Sequence, residues 1–167
     1  MKQRIEILDK KHRKQEFECG KEMLDYYIRN QAGQDVKRKL SVCFVLEDME
    51  TGLIQGYYTL ANNSIPLNVI PEHIRKKLPK SYTSIPTTLL GRLAIDKQFQ
   101  GKGIGKILLT DALKRSYEAS EKIGSYTVVV DPVDNEAEKF YQKFGFIKLP
   151  DSKKMFIAMQ TLKALFG

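Results

Sequence analysis

From Gly20 onward the apolar residues Met23, Leu24, Tyr27, Ile28, Ala32, Val36 and Leu40 recur at three-four spacing, which predicts one or two amphipathic helices. The pattern then changes. SVCFVLE (41–47) and LIQGYYTLA (53–61) are dense apolar runs on either side of Met49-Glu50-Thr51-Gly52, and predict two strands paired antiparallel across that turn. Pro71 opens and Pro79 closes EHIRKKL, a short basic helix. TTLLGRLAI (87–95) predicts a strand, followed by a glycine-rich turn and a long helix from about Gly103 to Lys122 with Ile104, Ile107, Leu108 and Ala112 on one face. SYTVVVD (125–131) predicts a strand, EAEKFYQKF a helix and KMFIAMQ a last strand. With no internal repeat and no linker, 167 residues suit a single domain around one core. The order of elements predicts a mixed sheet with helices packed on it, in the α/β or α+β class.

Composition narrows the classes of function. The apolar runs are a handful of residues long, against the roughly 20 that span a bilayer, and the charged N-terminus MKQRIEILDKKHRKQEFECG has no apolar stretch of a signal peptide. A cytoplasmic protein with no membrane segment is expected. Cys19 and Cys43 form no CxxC, and His12 and His73 are isolated in the sequence, so free thiols and no metal are expected. Cys43 is read as a small apolar residue of its strand. The net charge of +8 is concentrated: residues 65–115 carry ten basic and three acidic side chains, whereas 41–64 carry three acidic and none basic. Such an excess is the electrostatic footprint for a polyanion, either nucleic acid or a phosphorylated cofactor.

The stretch that bears chemistry is RLAIDKQFQGKGIGKILL, a strand, then Gln100-Gly101-Lys102-Gly103-Ile104-Gly105, then a helix. Alternate glycines let main-chain N–H groups approach a ligand, and the helix start adds unpaired donors and the positive end of a dipole. Phosphate is the natural guest. A dinucleotide fingerprint would need glycine in place of Lys106, and a P-loop would need different residues at Gln100 and Ile107, so neither of those motifs is present.

Placed between a strand and a helix, this Q-x-x-G-x-G resembles the acetyl-CoA pyrophosphate loop of the GNAT acetyltransferase superfamily. Some thirty residues on, AEKFYQKFGF (137–146) is similar to that superfamily's A-x-x-F-Y-x-x-x-G-F segment. Further likenesses span nearly the whole chain: F-E-C-G-K at 17–21, Asn30-Gln31-Ala32, GYYTL at 56–60, IRKKLP at 74–79 and LLGRLAID at 89–96. They are similar to the tRNA-acetylating toxins of that superfamily, which pair with ribbon-helix-helix antitoxins. Asp134 stands six residues before Phe140, where many members have Asn, a change compatible with the toxin branch.

The resemblance implies a mostly antiparallel, twisted mixed sheet flanked by helices and splayed at the acetyl-CoA site. It implies acetyl-CoA as cofactor, with Leu93, Ala94 and Ile95 presenting main-chain groups to pantetheine and thioester. Gln100, Gly101, Lys102, Gly103, Ile104, Gly105 and Lys106 hold the pyrophosphate in this reading, and Asp134 and Phe140 line the cofactor. Tyr141 is the implied general acid toward the departing thiolate. The acceptor implied is the α-amino group of aminoacyl-tRNA, whose ordinary pKa of about 7.7–8.0 leaves a sizeable neutral fraction without a strong base. A homodimer is also implied. By strand alternation Arg92 points away from Leu93, and if Leu93 faces the core Arg92 does not. With Arg75, Lys76, Lys77 and Lys80 it is the candidate for gripping tRNA phosphates or the terminal adenosines, and Lys37, Arg38 and Lys39 form a second group. One of Tyr57 and Tyr58 could stack on a base, with core packing assigned to at least one of them. Two other readings stay open: acetylation of a small-molecule or protein amine, and a non-catalytic module that binds acyl-CoA or an antitoxin.

Overall fold

The computed structural model describes residues 2–167. Seven strands form one sheet in the order β1-β2-β3-β4-β5-β7-β6. They are β1 (Gln3–Ile7), β2 (Val42–Asp48), β3 (Ile54–Pro66), β4 (Ser84–Ile95), β5 (Thr127–Val130), β6 (Ile147–Lys148) and β7 (Met155–Ala158). Six α-helices accompany them: α1 (Glu22–Asn30), α2 (Ala32–Lys37), α3 (Glu72–Arg75), α4 (Ile104–Ser120), α5 (Asn135–Lys143) and α6 (Met159–Phe166). β2 pairs antiparallel with β1 and β3, and β7 with β5 and β6, whereas β4 and β5 run parallel, as the intervening α4 crossover requires. The sheet is therefore mixed and mostly antiparallel, as expected. No helix among the described residues is long and apolar enough to cross a membrane.

The chain packs as two compact units, the first built from the chain up to Ala61 with Gly91–Ala112, the second from Asn62–Leu90 with Leu113–Gly167. In the first, α1 buries Leu24, Tyr27 and Ile28 at the predicted spacing while Met23 and Tyr26 stay outside. These side chains join Phe17, Cys43, Val45, Tyr57 and Ala94 in one apolar cluster. The start of α4 covers the opposite sheet face. There Leu108 lies against Gly56, and Tyr58 stacks on Phe44 at 5.1 Å while its hydroxyl donates to Asp111 at 2.6 Å. Tyr57 donates its hydroxyl to the Leu24 carbonyl at 2.7 Å. Both tyrosines are 0% exposed, so neither is a base-stacking platform. Both cysteines are free and buried, and burial pushes the Cys43 thiol up to about 12.

In the second unit Ile70, Ile74 and Leu78 project at helical spacing onto Ile65, Ile85, Val129, Leu149 and Phe156. This fixes the apolar side of the 70–80 segment and leaves Lys76, Lys77 and Lys80 exposed. The expected basic helix there is a single turn, Glu72–Arg75.

Three elements are absent from the sequence-based reading. β1 is a short strand carrying Arg4 and Glu6, and α6 follows β7 with no intervening turn, so KMFIAMQ is strand over Met155–Ala158 and helix from Met159. β6 is only two residues long. His12, isolated in sequence, meets Glu6 at 2.9 Å, and the ligand atoms of Glu6, His12 and Glu47 lie within 4.8 Å of one another. His12 Nδ1 accepts the Asp9 N–H at 2.9 Å, so Nε2 carries the proton and donates to Glu6 rather than offering a lone pair. Lys11 at 2.8 Å and Arg4 at 3.3 Å also sit on Glu6, which holds its carboxyl below the usual range. The group is an ion-pair network, with its cations already supplied by the chain.

Candidate active site

In the first unit the site begins at the end of β4. β5 pairs with Thr87–Leu90 and ends at Val130, while β4 runs on through Gly91–Ile95 without a partner residue on β5 among the described residues. Main-chain groups of β4 on that side beyond Leu90 thus have no β5 partner, although the Ile95 carbonyl accepts from the Gln100 side chain. Ala94 is packed in the core cluster; Leu93 and Ile95 are half-buried. Asp96 then turns the chain: its side chain accepts the Gln98 N–H at 2.9 Å and starts the 3-10 turn Lys97–Phe99.

Gly101 and Gly103 follow with φ of 77° and 79°, the left-handed region that suits glycine, and a Cβ at either would meet nothing within 4 Å. Their selection is conformational, and the space above them is open. The first main-chain bond of α4 runs from the Ile107 N–H to the Gly103 carbonyl at 3.2 Å, so the N–H groups of Ile104, Gly105 and Lys106 have no acceptor within the helix. With Lys102 and Lys106 exposed beside them, these donors form the anion cradle expected from the sequence. Gln100 differs in role from its neighbours, since its Nε2 donates to the carbonyls of Cys19 and Ile95, each at 3.0 Å.

In the second unit Asp134 caps α5, accepting the Ala137 N–H at 2.8 Å. An acidic residue serves as well as Asn there, which accounts for the substitution in the motif. Phe140 and Tyr141 follow on α5, with ring centroids 5.4 Å apart. Gly145, at φ 95°, lets the chain reverse, and the Phe146 N–H returns to the Tyr141 carbonyl at 3.2 Å. The Phe146 ring then meets the Tyr141 ring at 5.2 Å. Glycine and both flanking aromatics of the motif therefore hold the tyrosine in place. Tyr141 is 7% exposed, burial pushes its phenol up, and its hydroxyl makes no hydrogen bond to any described residue. It holds a proton at neutral pH, with no hydrogen-bond acceptor for it among the described residues.

The basic candidates occupy separate settings. Lys76, Lys77 and Lys80 are exposed, with Lys76 3.7 Å from Glu72, and Arg75 is half-buried. Lys37 and Arg38 are exposed at the end of α2. Arg92 corrects the alternation argument, because both sheet faces of the first unit are covered. It shares the Ala94 face, with its guanidinium 3.6 Å from the centroid of the Tyr27 ring, and the Tyr27 hydroxyl donates to Asp35 at 2.7 Å. The sequence marks Tyr27 only as an apolar helix position and gives no sign of Asp35; Asp96, an acidic residue between a strand and a turn, leaves a local signal.

Comparison with known proteins agrees with these parts. Residues 39–148 match the family described as acetyltransferase (GNAT) domain. A tRNA-acetylating toxin of Mycobacterium tuberculosis is 34% identical over 152 residues, 90% of this chain and 89% of its own. The structure of AtaT complexed with acetyl-methionyl-tRNAfMet superposes with a TM-score of 0.91 at 30% identity, covering 99% of this chain and 100% of that one. A variant AtaT toxin bound to the C-terminus of the antitoxin AtaR and acetyl-CoA gives 0.81 at 28% identity, covering 98% of each chain. A glycine turn at the start of α4, a buried tyrosine held by the F-Y-x-x-x-G-F segment and the family match across both place this chain in the GNAT acetyltransferase family.

Proposed function

We propose that this protein transfers the acetyl group of acetyl-CoA to the α-amino group of aminoacyl-tRNA, as the toxin of a toxin-antitoxin pair. The observation that carries the enzymatic part is the open cradle at Gly101–Lys106, whose unpaired N–H groups, positive φ glycines and flanking lysines fit a pyrophosphate. The substrate part rests on similarity to a tRNA-acetylating toxin over nine-tenths of both chains. The basic excess of residues 65–115 supports it, because a cationic small amine would call for an acidic pocket. The reading takes 1–167 as one catalytic domain, cytoplasmic and homodimeric, with a ribbon-helix-helix antitoxin as partner.

Acetyl-CoA, when bound, supplies an acetyl thioester and a thiol leaving group. Gly101 to Lys106 would hold its pyrophosphate through main-chain donors, and the unpaired edge at Leu93–Ile95 would align its pantetheine arm. Asp134 acts by capping α5, and Phe140 packs beside the tyrosine. Tyr141 holds a proton at Oη and donates it to the leaving sulfur. A phenol near 10 giving its proton to a thiolate near 8.5 runs uphill by roughly 2 kcal/mol in water. Burial pushes the Tyr141 phenol further up, so the transfer relies on the tyrosine being held in place toward the sulfur. Lys76, Lys77 and Lys80, with Arg75, grip backbone phosphates, and Lys37 and Arg38 form a second grip. Arg92, held over the Tyr27 ring, presents its guanidinium for a terminal phosphate or base.

The test is controlled expression in bacteria of the wild type beside Tyr141→Phe, with growth recorded and the tRNA pool examined for acetylated aminoacyl ends. Arrest with acetylated ends, relieved by the variant, is the expected result. Wild-type protein that binds acetyl-CoA yet leaves growth and tRNA unaltered would overturn the substrate assignment.

A further inference from the structure

The glycine cradle would be a weak binder if left to itself, because three glycines in six residues lose more chain entropy on ordering than any other composition. The structure supplies a restraint from outside the loop. Residues 17–20, just ahead of α1, run alongside the segment 95–100 and are joined to it repeatedly. The Glu18 N–H donates to Asp96 Oδ2 at 3.0 Å, and the Lys97 N–H donates back to the Glu18 carbonyl at 2.9 Å. Gln100 Nε2 closes the far end on the carbonyls of Cys19 and Ile95. Gly20, at φ 98°, allows the close approach: a Cβ there would stand 3.2 Å from the Lys97 side chain. The strap is itself anchored, since the Cys19 N–H donates to Asp25 Oδ1 at 2.8 Å, and Asp25 is buried in α1.

We propose that Gln100 and Asp96 are positioning residues for the anion cradle, setting its affinity without touching the cofactor. The inference rests on the reading of residues 101–106 as a pyrophosphate site and is independent of the acceptor. Two arguments separate positioning from direct binding. Both hydrogens of the Gln100 amide are committed to carbonyl oxygens, and the reversed amide would set Oε1 against those same oxygens. What remains free on Gln100 is an acceptor, which has nothing to offer a phosphate. Asp96 carries the same sign of charge as the ligand, and its two oxygens are taken by the main-chain N–H groups of Glu18 and Gln98. Neither side chain can bind an anion, yet together they fix both ends of the turn that does. The same bonds tie the cradle to α1, which carries Tyr27 under Arg92.

The experiment is calorimetric titration of the full chain with acetyl-CoA and with S-acetylpantetheine, which lacks the pyrophosphate, alongside thermal melting. Gln100→Met keeps length and neutrality but loses both donors; Asp96→Asn keeps shape but turns one acceptor into a donor facing an N–H. Both are expected to bind acetyl-CoA roughly tenfold more weakly, the effect of losing one or two hydrogen bonds, with S-acetylpantetheine changed less than about twofold. The sign of Asp96→Asn is decisive. Removing a negative charge near a polyanion tightens binding unless the carboxylate holds the loop, so unchanged or tighter acetyl-CoA binding overturns the proposal. An equal loss for both ligands, tracking a fall in melting temperature, also overturns it by showing a general structural role. Gly103→Asp separates the two levels of inference. If that variant binds acetyl-CoA normally, the cradle itself is misassigned; if it fails while Gln100→Met and Asp96→Asn bind normally, only the positioning role is wrong.

Discussion

Replacing Gly56 by alanine tests how closely the sheet is packed where it carries the site. A Cβ at this position would lie 2.7 Å from Leu108 Cδ1, 2.8 Å from the Ala94 carbonyl oxygen and 3.3 Å from Ile95 Cδ1. The leucine methyl can rotate away, but the carbonyl belongs to β4 and yields only if the strand moves. Overpacking of this kind costs about 1–3 kcal/mol, and the lower chain entropy of unfolded alanine returns about 0.4–1 kcal/mol, leaving a net loss of about 0–2.6 kcal/mol, with about 1–2 kcal/mol in the middle of that range. For a chain of this size that is a fall in melting temperature of about 2–8 °C. Because the displaced carbonyl lies between Leu93 and Ile95, acetyl-CoA affinity should fall as well. Gly101→Ala is the counterpart: its Cβ meets nothing, and only the positive φ is strained, at a cost of about 1–2 kcal/mol, so binding and melting should both fall with no clash involved. Differential scanning fluorimetry and acetyl-CoA titration on both variants decide the matter. A Gly56→Ala protein that melts at or above the wild type would refute the reasoning, since the clash with a main-chain atom would then carry no penalty.

Asp134→Ala removes the cap of α5 and is expected to cost about 1 kcal/mol, with Asp134→Asn close to wild type by thermal melting. Reversing the charges of Lys76, Lys77 and Lys80 together should lower tRNA affinity and flatten its salt dependence by about 0.7–0.9 in the log-log slope for each phosphate no longer neutralised, with acetyl-CoA titration unaffected. The alkaline limb of stability should begin near pH 9. Burial holds Cys19 at about 11 and Cys43 and Tyr27 at about 12, so the native state keeps protons that the unfolded chain releases first. This stability is fully present below the unfolded values and lost as pH rises toward 11–12. Melting temperatures from pH 7 to 10.5 check it, and a Cys43→Ala protein that falls as steeply as the wild type would remove Cys43 as a source.

The two motif segments were legible in the sequence because each is a local pattern. Glycines at 101, 103 and 145 mark positions of positive φ, and Phe140, Tyr141 and Phe146 close on one another within a single helix and its turn. What escaped was set by distant partners. β1 is too charged to read as a strand alone and is defined by its pairing with β2, and α6 lacks a start signal because Ala158 caps it without a side-chain bond. Periodicity placed Tyr57 and Tyr58 on opposite faces but could not say that both faces are covered. For the same reason alternation set Arg92 opposite Leu93 but could not say that its guanidinium lies over the Tyr27 ring.

The order of the strands in the sheet differs from the order in which a ribosome makes them. The first compact unit needs Gly91–Ala112 to complete it, and the second needs β7, which is made last of the strands and yet lies between β5 and β6. A nascent chain halted after Leu90 therefore contains all the residues of neither unit, and one halted before Met155 leaves β5 and β6 without the strand that joins them. Folding must wait for pairings that are remote in sequence, which slows it and delays any activity until β7 has been made. For a protein read as an inhibitor of translation, this topology means that β7 must have been made before the product can act.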